Sequence, residues 1–236
     1  MELTQAPLTE EKIKELRALF ADVRAVIFDM DGLMIDSEPF HQRAFNHVFR
    51  QYGKELSEHD NNSLYVEISD KDAAADMVAR FGLPITPEQL VSQKQAAYLE
   101  FLKDVTAQPG LVELLSLLDD LAIKTAIASS SMRTEIFAVT DALNITFFFD
   151  IFCSAEEVEH GKPAPDIFLY AAAKLGLPAN ICLVLEDAPS GVAAAKAAGM
   201  RCIAVPSRET MSKDFTGATL QLSSLVEVRK CFPPAF

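Results

Sequence analysis

Positive charge is what this 236-residue chain is short of: 21 lysines and arginines stand against 34 aspartates and glutamates, a formal charge of −13. A nucleic-acid or anionic-membrane partner needs a basic face that releases counterions, so the balance argues against both. It does not exclude an anionic small molecule, because a metal and a few cations can reverse the field locally. Long apolar runs are missing too. No stretch approaches the roughly 18 residues of a membrane span. Met1 to Pro7 leads into the polar, helix-like run Thr9 to Phe20 and not into an apolar leader, so a soluble, cytoplasmic protein is expected. The cysteines Cys153, Cys182, Cys202 and Cys231 make no C-x-x-C pair. Buried thiols in a reducing compartment are therefore expected over a metal site or a disulfide. His47, His59 and His160 show no ligand spacing and read as surface or structural residues. Repeats and low-complexity tracts are also lacking.

What the chain does have is apolar content, half of its residues, arranged in a recurring unit of apolar run, polar tip and helix. Ala25 to Phe28 ends in Asp29-Met30-Asp31-Gly32, and Ile123 to Ala128 ends in Ser129-Ser130-Ser131. Phe147 to Phe152 leads to a loop with Lys162, Ile181 to Leu185 ends in Glu186-Asp187, and Cys202 to Val205 ends in Pro206-Ser207. Helical periodicity fills the gaps at Leu111 to Leu121, Thr134 to Leu143, Asp166 to Leu175 and Val192 to Ala198. Alternating strands and helices predict an α/β fold with a doubly wound parallel sheet, polar groups gathering at one edge. The stretch 38–106 breaks the alternation. Phe40, Ala44, Phe45, Val48 and Phe49 are spaced as a helix face, as is Leu90 to Leu102, and Gln108-Pro109-Gly110 marks the return. We expect an N-terminal helical extension at 1–21, a core at 22–37 and 107–236, and a helical insert at 38–106 placed as a lid over the strand ends.

The Asp-x-Asp after the first strand carries the most chemistry. Two carboxylates one residue apart, at the end of a buried strand and followed by a glycine, supply hard oxygen ligands for Mg²⁺ and a carboxylate free to attack. Asp-x-Asp-Gly also makes a good solvated turn. Ser129 also suits a plain helix N-cap, Glu186-Asp187 a helix start, and Lys162 a surface position. Taken together, in order and at strand ends, they point to one site.

From about Val23 to Val205 the chain resembles the haloacid dehalogenase superfamily of phosphohydrolases. Four motifs carry the likeness: Phe28-Asp29-Met30-Asp31-Gly32, Ile127-Ala128-Ser129, Gly161-Lys162-Pro163 and Leu185-Glu186-Asp187. Asp36-Ser37-Glu38-Pro39 and the position of the insert are similar to the subgroup with an α-helical cap, which includes β-phosphoglucomutase and small-metabolite phosphatases. The resemblance implies Asp29 as nucleophile and Asp31 as general acid and then base. It implies Ser129 and Lys162 as partners of the phosphoryl oxygens, with Ser130 beside them. It also implies Mg²⁺ held by Asp29, Asp187 and the Asp31 carbonyl, with Glu186 as ligand or supporting partner. His41 matches a histidine of β-phosphoglucomutase and reads equally as a helix-surface residue. Lys94 reads as a solvated lysine or a contact for the substrate's distal groups.

The expected activity is Mg²⁺-dependent hydrolysis of a small phosphomonoester through an aspartyl phosphate, by a protein whose fold needs no partner and which is expected as a monomer. A phosphomutase shares the core. Against it, Glu67-Ile68-Ser69-Asp70-Lys71-Asp72 departs from the mutase pattern, and an acidic Asp70 would repel a second phosphate. A true dehalogenase has no use for Asp31 or a metal. A non-catalytic phosphate-binding protein would show an eroded site, and no chemical position here is lost.

Overall fold

The computed structural model describes the backbone of residues 8–65 and 70–234 and, except at positions 62 and 63, their side chains. The chain divides into two compact units, Met1–Asp36 with Thr106–Phe236, and Ser37–Val105.

The first unit is a six-stranded parallel sheet in the order β3-β2-β1-β4-β5-β6. Its strands are β1 Ala25–Phe28, β2 Lys124–Ser129, β3 Ile151–Ser154, β4 Cys182–Glu186, β5 Arg201–Ala204 and β6 Leu220–Gln221. Sequence order runs outward from β1 on one side and from β4 on the other, so the direction of winding reverses between them. Ligands of open α/β sheets bind outside the strand ends at such a point.

Both faces of the sheet are covered, which is why the interiors of its central strands are runs of apolar residues and do not alternate. On one face, Ala25, Ile27, Ala126, Ala128, Cys182, Val184, Cys202 and Ala204 share a core with α8 (Asp166–Leu175) and α9 (Pro189–Ala197). The intervening Val26, Phe28, Ile127, Leu183, Leu185 and Ile203 are equally buried on the other. There α6 (Leu111–Asp120) contacts β2, and α7 (Arg133–Ala142) contacts β3. The N-terminal helix α1 (Glu10–Leu19) buries Leu16, and its Arg17 Nε donates to the carbonyls of Lys230 and Phe232; the extension's first seven residues lie outside the described ones.

The run Phe147 to Phe152 is not one strand. Thr146–Phe148 is a 3-10 turn and β3 starts at Ile151. Phe147 is 72% exposed, and Asp150 accepts the Thr125 N–H with its carboxylate. The side chain thus takes the donor that a strand carbonyl would otherwise meet. β6 and the short helix α10 (Leu225–Arg229) extend the unit beyond the last strand expected from apolar runs.

The second unit is helical: α2 Glu38–Gln51, α3 Glu58–Leu64, α4 Asp70–Phe81 and α5 Pro87–Phe101. Phe45, Val48, Phe49, Leu56, Met77, Leu83 and Leu90 form its core. Asn46 fastens the α2–α3 connection by bonding both the N–H and the carbonyl of Leu56, and Thr86 starts α5 with a capping box to Gln89. Of the segment Glu67 to Asp72, residues 67–69 lie outside the described ones.

Candidate active site

Strand register assembles the site. Phe28 pairs with Ile127 of β2 and Leu185 of β4, so the residue after it, Asp29, comes level with Ala128 and Glu186. The Asp29 N–H donates to Leu185 O at 3.0 Å, extending the ladder one residue past the strand. Asp29, Ser129, Glu186 and Asp187 thereby collect where β1, β2 and β4 end, all of them buried. The loop after β3 brings Lys162 into the same cluster. Its ammonium, on a side chain only 6% exposed, donates to Asp29 Oδ1, to Ala128 O at 3.0 Å, and pairs with Glu186 Oε1 at 2.6 Å.

A tight turn sets Asp31. Gly32, at φ 82°, donates to Ile35 O at 2.9 Å, and Met34 N–H donates to Met30 O. That positive φ suits glycine, and a Cβ there would fall on the Asp187 carboxylate. The Asp31 carboxylate turns toward the β2 end, where its Oδ2 accepts from Ser131 Oγ at 2.6 Å and Ser129 Oγ at 3.3 Å. Ser130, by contrast, is exposed. The connection after β5 holds Asp187 in place: Thr210 Oγ1 donates to its carbonyl at 2.6 Å, and Ser207 bonds its side chain.

Among the described residues, four carboxylates here, Asp29, Asp31, Glu186 and Asp187, face one ammonium, that of Lys162. Burial, with Glu186, Asp187 and Asp31 adding to it, pushes the Asp29 carboxyl well above its usual range despite Lys162. Burial and then Glu186 push Asp187 up to about 8. Burial opposes the charge on Lys162, but Asp29 and Glu186 overcome it and hold the ammonium firmly protonated. The site is thus short of positive charge in a place where negative charge is costly.

A hard divalent cation would answer that deficit. Asp29, Glu186 and Asp187 offer carboxylate oxygens that all lie within 4.8 Å of one another. The donor set is oxygen alone, the kind that Mg²⁺ takes. Room around it is kept by the absence of side chains: a Cβ on Gly32 would collide with Asp187, and one on Gly191 with the Glu186 carboxylate. The residues present fit the metal.

His41 and Lys94 meet each other in the helical unit. Lys94 is fully buried and not solvated as one of its two readings had it. Its Nζ lies 2.8 Å from His41 Nδ1 and 2.6 Å from Asp70 Oδ2, with the rings of Tyr98 and Phe45 at 4.5 and 5.5 Å. His41 stacks on Tyr98 at 4.1 Å. Burial and the adjacent ammonium hold its pKa down to about 3. Asp70, expected to present a repelling charge, instead has that charge opposed by Lys94. Residue spacing did not single out Ser131, Ser207 or Thr210. The Ser129-Ser130-Ser131 and Pro206-Ser207 tips were signals for the first two, whereas Thr210 lies in a loop whose return to β4 is set only by tertiary packing.

Residues 26–205 match the family of haloacid dehalogenase-like hydrolases. Hexitol phosphatase B of Escherichia coli is 33% identical over 216 residues, covering 87% of this chain and 94% of that enzyme. The crystal structure of CbbY from Rhodobacter sphaeroides in complex with phosphate is similar with a TM-score of 0.79 at 26% identity, over 87% of this chain and 96% of that one. A β-phosphoglucomutase structure from Clostridium difficile matches with a TM-score of 0.72 at 25% identity, over 87% and 93%. The motifs meet at one sheet edge and the match spans most of the chain, and on both grounds this protein belongs to the haloacid dehalogenase-like hydrolases.

Proposed function

We propose that this phosphoric monoester hydrolase is an Mg²⁺-dependent phosphatase of a small phosphorylated metabolite, working through an aspartyl phosphate on Asp29. The observation that carries the reading is the buried cluster of Asp29, Glu186 and Asp187, in which the Lys162 ammonium pairs with Asp29 and Glu186. Phosphatases among the relatives, hexitol phosphatase B for one, support a sugar phosphate or similar substrate.

Asp29, Asp187 and the Asp31 carbonyl would hold the metal, with Glu186 beside them. When bound, Mg²⁺ supplies positive charge between an attacking carboxylate and a phosphate dianion. The chain's own residues do the rest. Asp29 attacks phosphorus while Lys162 and the Ser129 hydroxyl meet the phosphoryl oxygens, and Asp31 gives a proton to the departing oxygen. Asp31 then takes a proton from the water that hydrolyses the aspartyl phosphate. Burial of Asp29, Ser129, Glu186 and Asp187 strengthens each of these interactions.

Phosphate release from 4-nitrophenyl phosphate and from a panel of phosphorylated metabolites, with Mg²⁺ and with chelator, tests the reading. Release that depends on Mg²⁺ supports it, and no release from any compound overturns it. The phosphomutase alternative gains from one observation: with Asp70 paired to Lys94 at 2.6 Å, the expected repulsion of a second phosphate loses its source. Phosphorus NMR of β-glucose 1-phosphate with Mg²⁺ and a trace of the bisphosphate separates the two. Glucose 6-phosphate formed faster than inorganic phosphate would favour the mutase.

A further inference from the structure

Ser131 plays no part in the mechanism above, yet its hydroxyl makes the shorter of the two serine contacts to Asp31, 2.6 Å to Oδ2 against 3.3 Å for Ser129. It is itself held on two sides. Its N–H donates to Ser129 Oγ at 3.0 Å, and its carbonyl accepts from Ser154 Oγ at 2.7 Å. Ser154 is the last residue of β3, pairs with Ser129 in the sheet, and is fully buried. The β2–α7 loop is therefore tied to the neighbouring strand at the residue that grips Asp31. A side chain so anchored is a fixed donor and not a mobile surface hydroxyl.

We propose that Ser131 is a positioning residue for the general acid: it fixes the rotation of the Asp31 carboxyl so that the leaving-group oxygen meets the right carboxyl oxygen. The proposal rests on the phosphatase reading and deepens it. A carboxylic acid oxygen that accepts hydrogen bonds is its carbonyl oxygen. With Oδ2 accepting from Ser131 while the Ser129 hydroxyl turns to the phosphoryl group, the proton of the acid form is carried on Oδ1. In the first half-reaction the bond from Asp29 to phosphorus forms as the bond from phosphorus to the leaving oxygen breaks. The Oδ1 proton passes to that oxygen, releasing the alcohol and leaving Asp31 as a carboxylate. Without Ser131 the Asp31 carboxyl loses the shorter of its two serine contacts and turns more readily, so that in a share of enzyme molecules the proton points away from the leaving group.

Loss of acid positioning has a signature that general disruption lacks: it harms poor leaving groups more than good ones, because 4-nitrophenolate departs without a proton and an alkoxide does not. The experiment measures kcat/KM, which reports the first half-reaction, for 4-nitrophenyl phosphate and for glycerol phosphate with Mg²⁺. It compares wild type with Ser131→Ala and Ser131→Thr, with circular dichroism to check folding. A hydrogen bond to the carboxylate that forms as the proton leaves sets the scale, so Ser131→Ala should lower the glycerol phosphate value by about 10- to 100-fold. The ratio of aryl to alkyl activity should rise at least about fivefold, and Ser131→Thr, which keeps the hydroxyl, should restore both. If Ser131→Ala does not fold, Ser131→Cys, with its weak donor, is read on the same ratio. Equal losses on both substrates, or none, in an active protein would overturn the role of Ser131 and leave the phosphatase reading standing. A wild-type protein that releases phosphate from neither would overturn both.

Discussion

The ion pair in the helical unit makes a prediction that depends on direction. Lys94 is 0% exposed, whereas the Asp70 side chain it pairs with is 31% exposed. Asp70→Asn leaves an ammonium buried against His41 Nδ1 and two ring faces without its carboxylate, and such uncompensated charges cost about 3–5 kcal/mol. Lys94→Met removes the buried charge, keeps similar length and apolar stem, and lets Asp70 turn to water, at a cost of about 1 kcal/mol. The two halves of one ion pair should therefore differ by about 2–4 kcal/mol. Urea unfolding followed by far-UV circular dichroism reads this directly, and it suits a chain with no tryptophan. Equal losses, or a greater loss for Lys94→Met, would refute the reasoning. Acid adds a second arm through His41, whose pKa burial and then Lys94 hold down to about 3. Folded His41 stays neutral while the unfolded chain takes a proton near 6.5. The unfolded state then binds more protons between these values, so stability present above pH 6.5 is lost as pH falls toward 3. At about 1.36 kcal/mol per unit the ceiling is about 5 kcal/mol, and less for this half-buried ring. Lys94→Met removes the second of the two causes and should blunt that acid sensitivity.

Three further outcomes are expected. Asp29→Asn should abolish turnover while leaving the far-UV spectrum unchanged, because an amide oxygen is a poor nucleophile and weaker ligand; phosphate release within about tenfold of wild type would remove Asp29 from its role. Lys162→Ala should lower kcat/KM by about 10²–10³, the loss of one transition-state donor, and unchanged kinetics at saturating Mg²⁺ would return it to a supporting role. Gly191→Ala puts a methyl on the Glu186 carboxylate and should weaken Mg²⁺ binding, seen by titration calorimetry, about tenfold or more; unaltered binding would show that Glu186 takes no part in holding the metal.

Local sequence carried the parallel sheet, because a strand covered on both faces must be apolar through its interior and a helix on one stripe only. It also carried Asp29, Asp31, Ser129, Lys162, Glu186 and Asp187, since residues that follow buried strands in a doubly wound sheet are delivered to one edge whatever lies between. Where aromatic content misled, at Phe147 to Phe152, the cause was a backbone hydrogen bond satisfied by Asp150 and not by a strand partner. Tertiary structure alone decided the rest. Whether Lys94 is solvated or buried depends on how α2, α4 and α5 pack, and a lone lysine on a helix reads the same either way. Likewise the grip of Ser131 on Asp31 joins residues 100 positions apart, and the anchoring of Asp187 by Thr210 joins residues 23 apart. Periodicity and motif report which face a residue occupies; the partner it meets there is set by the register and packing of chain segments that are remote in sequence.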